Sequence, residues 1–250
     1  CWTTSTPGTD GWTMSDARSD AGRIALVALF VTALTTAQLT ASKLLQFGLP
    51  TDLPVTGASI VLPGAALAYA LTFFASDCYS ELYGQHAAQV MVNVGFAMNF
   101  VLLALVWSTI LAPAANPEAA GQYRSVLAPG TNIVLGSLAA YLVSQNWDVF
   151  VFHRIRGATG PSLLWLRNVV STATSQAIDT VLFVAVAFYV APRLLGFGDP
   201  LPVPVILSLI VGQYLLKLLI ALVDTPFVYA VVAAFGGSRI DADDNPWAAD

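Results

Sequence analysis

Two carboxylates four residues apart stand out in the segment FFASDCYSELYG, residues 73–84. Asp77 and Glu81 would lie on one face of a helix, because side chains at positions i and i+4 are neighbours on a helix surface. Acids at the end of an apolar segment repel each other and resist leaving water. Such a pair indicates a site for a cation, a proton or a ligand that donates hydrogen bonds, or else a solvated helix end just outside the lipid. This segment leaves both interpretations open.

Ionisable residues also occur within or at the ends of the other apolar segments. They are Lys43, Asp148, Arg167, Asp179, Lys217 and Asp224. A charged side chain at the centre of a bilayer costs at least about 2.5–3.5 kcal/mol, so a helix that only anchors a protein does not carry one. With Asp77 and Glu81 the set has five acids and three bases, which excludes complete mutual pairing. We favour function for Asp179, Lys217 and Asp224, with a structural ion pair made by Lys217 as the alternative.

Polar residues at helical spacing predict that four apolar segments turn polar faces toward a shared interior. The sets are Thr32, Thr35, Thr36, Thr40 and Lys43; Tyr141, Ser144, Gln145 and Asp148; Asn168, Ser171, Thr172, Ser175 and Asp179; and Gln213, Lys217 and Asp224. The first three threonines are better explained as a seam for close helix packing. The motif Ser-Gln-x-x-Asp at 144–148 recurs at 175–179. Its amide and carboxylate suit a nitrogen heterocycle, because a carboxylate can accept two hydrogen bonds while an amide both donates and accepts.

The composition indicates which class of protein must position these residues. Of the 250 residues, 56% are hydrophobic and 10% are charged, with a mean hydropathy of +0.71. A soluble domain carries roughly 25% charged residues, so this chain cannot build a water-facing exterior and is predicted to be an all-α, polytopic membrane helix bundle. The acidic ends of the chain argue against nucleic acid as a partner. The two cysteines do not indicate a disulfide framework.

Six transmembrane helices are predicted within one transporter domain, residues 23–236. Their ranges are 24–46, 58–76, 87–112, 131–152, 163–190 and 205–235, with the longest internal loop at 113–130. Residues 1–22 are predicted to be a disordered acidic tail and residues 237–250 a second acidic tail. Arginines beside the first, fourth and sixth helices predict that both termini are cytoplasmic. We expect a multi-pass protein in the lipid bilayer of the cell membrane, and the sequence is compatible with a homo-oligomer.

Five segments together resemble one known family, the queuosine precursor transporters, which are grouped with vitamin uptake transporters. The segments are TASKLL (40–45), FFASDCYSELYG (73–84), SLAAYLVSQNWDVFVFHRIR (137–156), LLWLRNVVSTATSQAIDT (163–180) and QYLLKLLIALVDTPFVY (213–229). The resemblance implies a six-helix importer of 7-deazaguanine bases, the preQ0- and preQ1-type precursors of queuosine or archaeosine in tRNA. Gln38 departs from the family, which more usually has Asn there, and this departure could alter ligand choice. Gln85 and His86 replace the expected basic residues.

The resemblance and the residue chemistry together define a predicted substrate site. The substrate-binding candidates are Asp77, Glu81, Gln145, Asp148, Asn168, Gln176, Asp179 and Lys217, and the candidates for coupling or an ion pair are Lys43, Arg167 and Asp224. We expect Asp148 and Asp179 to bind the N1–H and 2-amino edge of the base. Gln145 and Gln176 would orient these groups, and Asp77 or Glu81 could hold the cation of an aminomethyl base. The aromatic residues that could stack on the ring, each also explained as an interfacial anchor, are Phe73, Tyr79, Tyr141 and Trp147.

Two other functions remain open from the sequence. The chain could transport another vitamin-like heterocycle, or be the substrate-binding subunit of an energy-coupled importer, although nothing in the sequence requires an ATPase module. An enzyme is disfavoured, because an intramembrane aspartyl protease needs a Gly-x-Gly-Asp environment that no acid of the apolar segments has. The two histidines, His86 and His153, do not form a metal-binding pattern with Glu81. We therefore predict no catalytic residue, no metal and no cofactor.

Overall fold

A computed structural model of the protein describes residues 14–53, 56–159 and 164–235. Most of this part of the chain is helical, and two strands form a small antiparallel sheet. In chain order the elements are α1 (Met14–Thr40), β1 (Leu44–Leu53), β2 (Gly57–Pro63), α2 (Ala66–Tyr83), α3 (Gln85–Leu111), α4 (Pro117–Leu127), α5 (Gly130–Thr159), α6 (Leu164–Ala185), a π-helical segment (Val186–Val190), α7 (Ala191–Leu195) and α8 (Val203–Phe235). The predicted mainly helical architecture is confirmed.

Five helical stretches within the described ranges are long and apolar enough to cross a membrane. They cover Asp20–Thr40, Gln85–Leu111, Pro117–Ile155, Val169–Leu195 and Val203–Ala233. The remaining long helix is α2, whose 18 residues include Asp77 and Glu81 in the last two turns. These two acids lower the hydropathy of α2, so the count of six transmembrane helices stays a prediction. The cytoplasmic position of both termini stays a prediction as well.

The segment between α1 and α2 is a β-hairpin that the all-α prediction did not include, and two predicted helix boundaries are wrong here. β1 and β2 pair antiparallel, whereas helices were predicted over 24–46 and 58–76. The physical reason is a tertiary contact: β2 packs on α8 at Gly212, and the local sequence pattern does not contain this contact. The Gln46 Nε2 atom donates a hydrogen bond across the ladder to Ser59 Oγ at 3.0 Å.

A short surface helix, α4, occupies most of the segment 113–130 that was predicted as a loop. Asn116 caps it, because the Asn116 Oδ1 atom accepts hydrogen bonds from the backbone N–H groups of Glu118 at 3.0 Å and Ala119 at 3.3 Å. Proline follows the cap at the first helical position, where its missing N–H costs nothing. None of the side chains of α4 is buried. The capping signal was present in the sequence, and the loop prediction is corrected.

The remaining helix predictions agree with the structure in type and differ at their ends. α5 continues to Thr159, seven residues beyond the predicted end, and the segment after α6 changes to π-helix before α7. α1 begins at Met14, inside the range assigned to the N-terminal tail. Residues 1–13 and 236–250 lie outside the described chain, so the two predicted tails stay predictions.

Two glycines allow the hairpin to dock tightly against the helices. The Val61 backbone N–H donates to Ser208 Oγ on α8 at 3.3 Å. A Cβ atom on Gly212, one turn further along α8, would lie 2.5 Å from the Val61 carbonyl oxygen. A Cβ atom on Gly64 would lie 2.6 Å from the carbonyl oxygen of Thr40 at the end of α1. The hairpin is therefore fixed between the end of α1 and the first half of α8.

We expect Gly212→Val to destabilise the protein by about 1–3 kcal/mol, because the added carbons meet backbone atoms of β2 that cannot move aside cheaply. The measurement is thermal unfolding of the purified protein in detergent. Gly48→Ala in β1 is the matched control, since nothing lies within 4 Å of a Cβ atom there. Equal melting temperatures for the two variants would contradict the docking of the hairpin on α8.

A buried apolar cluster fills the space between the hairpin, α5, the π-helical segment and α8. Its members include Ile133, Val184 and Leu209, each at most 2% exposed. Gly136 on α5 crosses the π-helical segment so closely that a Cβ atom there would lie 2.7 Å from the Cβ atom of Ala187. π-helical turns are uncommon and often occur next to functional sites. Ala140 and Phe183 of this cluster also line a cavity between the helices.

Candidate functional site

A cavity of about 210 Å³, lined by both apolar and polar side chains, lies between the helices. Its walls come from α1, α2, α3, α5, α6 and α8, and Pro63 at the end of β2 completes the lining. Ligand pockets in proteins commonly measure about 300–1,000 Å³, so this cavity suits a small and rigid molecule. Members of three of the four predicted polar faces line it, and no member of the predicted face of the first helix does. The lining members are Tyr141, Ser144 and Gln145 on α5, Asp179 on α6, and Gln213 and Lys217 on α8.

An ion pair between α6 and α8 forms one wall of the cavity. Lys217 Nζ lies 2.7 Å from Asp179 Oδ2 and also donates to Thr180 Oγ1 at 3.0 Å. Asp179 Oδ1 accepts a further hydrogen bond from Ser144 Oγ on α5 at 3.3 Å. The side chains of Lys217 and Asp179 are 16% and 30% exposed, so the pair is screened less than a surface pair. Both charged groups are thus already engaged by protein partners.

The repeated Ser-Gln-x-x-Asp motif joins α5 and α6 in a reciprocal way. Ser144 of the first copy donates to Asp179 of the second, and Ser175 of the second donates to Asp148 Oδ1 of the first at 3.2 Å. Consecutive antiparallel helices bring such positions opposite each other. Trp147 adds a third bridge, from its Nε1 atom to Thr174 Oγ1 at 3.1 Å. The two copies of the motif therefore hold α5 and α6 together, and we call Ser144, Asp148, Ser175 and Asp179 the clamp.

Gln38 Oε1 on α1 and Gln213 Nε2 on α8 are buried in the cavity lining without a hydrogen-bond partner, and Ser137 Oγ on α5 interacts with the Tyr69 hydroxyl. Gln38, Ser137 and Gln213 are 1%, 6% and 9% exposed. Buried polar groups in folded proteins are almost always hydrogen-bonded, so each of the two unpaired amide atoms needs an explanation. Together the three side chains offer one acceptor, one donor and one hydroxyl group that can do either.

Aromatic side chains supply flat apolar surfaces in the same cavity. Phe96 on α3 stacks on Tyr141 on α5 with ring centroids 4.4 Å apart. The Tyr141 hydroxyl donates to Asn93 Oδ1 at 2.8 Å, which fixes this ring. Tyr69 meets Phe183 edge-on, with ring centroids 6.4 Å apart. Aromatic surfaces of this kind bind flat rings by stacking, at centroid distances of about 4.5–7 Å.

The structure brings together only part of the predicted site. The predicted residues that line the cavity are Phe73, Tyr141, Gln145, Gln176, Asp179 and Lys217. Asp77 and Glu81 are exposed at the end of α2 and do not line it. Asp148 lies in the clamp beside it. The side chains of Arg167 and Asn168 lie outside the described part of the chain.

The other predicted residues lie elsewhere. Lys43 lines a second cavity of about 480 Å³ together with Asp199. Asp224 is buried on α8 and its Oδ2 atom has no hydrogen-bond partner. Tyr79 accepts a hydrogen bond from Arg23 Nε at 3.0 Å, away from the first cavity. Among the residues that the structure describes, no group of three or more His, Cys, Asp or Glu side chains could hold a metal ion.

Gln38, Ser137 and Tyr69 line the cavity but were not predicted as site residues. Gln38 was singled out only as a departure from the family. It repeats at a helical spacing with Leu34 and Phe30, which also line the cavity, so the periodicity of α1 was an available signal. Ser137 lies two turns before Ser144 on α5 and extends the polar face of that helix by the same reasoning.

The helices are apolar and of membrane-spanning length, their outer side chains such as Leu105, Leu142 and Leu222 are exposed, and polar side chains reach a cavity between them. These features define a multi-pass membrane protein. Residues 63–231 match a family described as "Putative vitamin uptake transporter". The matched range contains every residue of the cavity lining except the three contributed by α1. This chain belongs to that family.

The chain is also similar to a named bacterial protein. The "Probable queuosine precursor transporter" of Bacillus subtilis (strain 168) is 35% identical over 164 residues, which are 65% of this chain and 68% of the relative. The resemblance read from the five sequence segments is thus confirmed. No solved structure matches the chain.

Proposed function

We propose that this chain imports 7-deazaguanine bases, precursors of modified nucleosides in tRNA, across the cell membrane. The observation that carries the proposal is the convergence of Gln145, Gln176, Asp179 and Lys217 on one cavity of small-molecule size. The similarity to a protein named as a queuosine precursor transporter supports the choice of substrate. A transporter needs such a site within the membrane, and no reaction of the base is required.

The cavity provides three kinds of contact that a deazaguanine requires. The flat bicyclic ring would stack against the aromatic surfaces of Tyr141 and Tyr69. The N1–H and 2-amino groups lie side by side on the base, and the carboxylate of Asp179 can accept hydrogen bonds from both. Since Lys217 already occupies Asp179 Oδ2, arrival of the base weakens the ion pair, and this exchange couples binding to a change in helix position.

Residues outside the cavity have supporting roles in this proposal. Asp148 braces α5 against α6 through Ser175. Asp77 and Glu81 lie at the end of α2 on the side of the membrane where the N-terminus of α1 is found, because α1 and α2 are antiparallel neighbours. With both termini in the cytoplasm, these acids would attract an aminomethyl base at the cytoplasmic mouth. α2 then counts as the sixth transmembrane helix.

The test is rescue of tRNA modification in cells that cannot synthesise the base. Cells that express the chain and receive a 7-deazaguanine base in the medium should accumulate the modified nucleoside, which mass spectrometry of digested tRNA measures. Cells with an empty vector should accumulate much less at the same low concentration of base. Equal modification in both would contradict the proposal.

The family description supports one alternative function. In it the chain takes up a different vitamin-like heterocycle, with or without an energy-coupling partner. Co-purification of an ATPase module with the full chain from a native membrane would favour that reading. Competition between radiolabelled 7-deazaguanine and a panel of vitamins during uptake would identify the preferred ligand.

A further inference from the structure

The cavity offers a ligand two sets of hydrogen-bonding side chains, which we call the charged wall and the neutral wall. The charged wall is the Asp179–Lys217 pair, in which the lysine reaches two acceptors and the aspartate is approached by two donors. A ligand that binds there must displace hydrogen bonds that already exist. The net gain is therefore small, because folding or binding that only exchanges one partner for another contributes little.

The neutral wall has the opposite character. Gln38 Oε1 and Gln213 Nε2 are buried without a hydrogen-bond partner, so the protein bears the cost of desolvating them before any ligand arrives. Ser137 Oγ, beside the Tyr69 hydroxyl, belongs to the same neutral wall. A ligand that pairs with the two amide atoms recovers this cost and displaces no protein contact. The three atoms come from α1, α5 and α8, so one small molecule that touches all of them holds three helices together.

We infer that Gln38, Ser137 and Gln213 form the specificity-determining wall of the cavity and select a heterocycle that carries a ring carbonyl next to N–H donors. The Gln213 amide N–H donates to the carbonyl oxygen, the Gln38 amide oxygen accepts from a ring N–H that Asp179 does not bind, and the Ser137 hydroxyl completes either contact. This inference rests on the proposed function for the identity of the base. It assigns recognition of the carbonyl side of the base to neutral residues, while Asp179 accepts from the N1–H and 2-amino groups and the ion pair couples binding to conformational change.

The chemistry predicts discrimination against an amino group at the carbonyl position. A diamino analogue would place an N–H donor against the Gln213 amide N–H, and two buried donors would remain unpaired. Sites built around buried hydrogen bonds reject such mismatches more strongly than sites built on shape. The wild-type protein should therefore bind 7-deazaguanine at least about tenfold more tightly than 2,6-diamino-7-deazapurine.

The experiment is equilibrium dialysis of both radiolabelled bases against the full chain in detergent, together with thermal unfolding without base. Gln38→Met and Gln213→Met keep the side-chain length and remove the amide, and each should weaken 7-deazaguanine binding about three- to tenfold. Both variants should melt at the wild-type temperature or above it, since an unpaired buried polar group has been removed. Gln213→Met should also reduce the preference for 7-deazaguanine over the diamino analogue.

Asn99→Leu is the matched control, because Asn99 Nδ2 is also buried without a partner but lies outside the cavity lining. It should leave binding of both bases unchanged. If the methionine variants do not fold, the affinity for 7-deazaguanine is measured in Ser137→Ala, which removes a single oxygen. A weaker affinity in this variant supports the inference, and an unchanged affinity overturns it. Unchanged affinity in the folded variants, or an unchanged preference in Gln213→Met, overturns the inference while leaving the proposed function intact.

Failure of the proposed function gives a different pattern. The same dialysis includes hypoxanthine and a pterin, which share the ring carbonyl and N–H edge. Tight binding of one of these instead of 7-deazaguanine, weakened by the same variants, refutes the proposed substrate and supports the neutral wall. Absence of binding to every base in the panel overturns both.

Discussion

Asp179→Asn should reduce uptake of 7-deazaguanine by about 100-fold or more while the protein still folds. The substitution keeps the shape of the side chain and removes the charge that holds Lys217 across the cavity at 2.7 Å. Truncating one partner of a hydrogen-bonded charge pair away from bulk water costs about 2–5 kcal/mol. Uptake of radiolabelled base into cells, normalised to the amount of protein in the membrane, measures the effect.

Asp52→Asn provides the control for Asp179→Asn. Asp52 is an exposed carboxylate in β1 that lines neither cavity, so its amide variant should transport like the wild type. Wild-type uptake by Asp179→Asn would remove Asp179 from the transport mechanism. Loss of the folded protein would instead show that the pair is structural.

Lys217→Met is expected to reduce uptake at least about tenfold and to lower stability by about 1–3 kcal/mol. The loss of stability is smaller than the ~3–5 kcal/mol of a fully buried pair, because the Asp179 carboxylate that is left behind is 30% exposed. Thermal unfolding and uptake are measured on the same preparations.

The double variant Asp179→Asn/Lys217→Met separates structure from mechanism. Two neutral side chains leave no unpaired charge, so stability should return to near the wild-type value. Uptake should stay as low as in the single variants if the charges act in transport. Recovery of uptake together with stability would show that the pair serves only to hold α6 against α8.

Much of the fold could be predicted because long apolar segments bounded by polar residues have few alternatives to membrane-spanning helices. The hairpin could not be predicted in this way. Residues 58–63 are apolar and run directly into the apolar start of α2, and a short apolar run does not distinguish strand from helix by periodicity alone. What fixes the strand is docking on Gly212 of α8, a contact between segments about 150 residues apart that no local pattern contains.

The sequence predicted those residues of the candidate site that carry a charge. Asp179 and Lys217 are conspicuous in apolar helices, and both line the cavity. Asp77 and Glu81 are equally conspicuous, yet spacing within α2 does not show whether their shared face points inward or outward. Gln38 was missed as a residue of the cavity lining because a neutral amide among alanines and threonines resembles a packing seam. Its unpaired oxygen becomes visible only when the surrounding helices are in place.

The reciprocal serine–aspartate clamp restricts the way in which the two membrane faces could gain access to the cavity in turn. Four residues, Ser144, Asp148, Ser175 and Asp179, cross-link α5 and α6 twice within one turn of each helix. Sliding one of these helices along the other would break both links, so we expect α5 and α6 to move as one rigid unit. The helices that move relative to this unit must then be sought among α1, α2, α3 and α8. Spin-label distances should change between these helices and the α5–α6 unit while the α5–α6 distance stays constant.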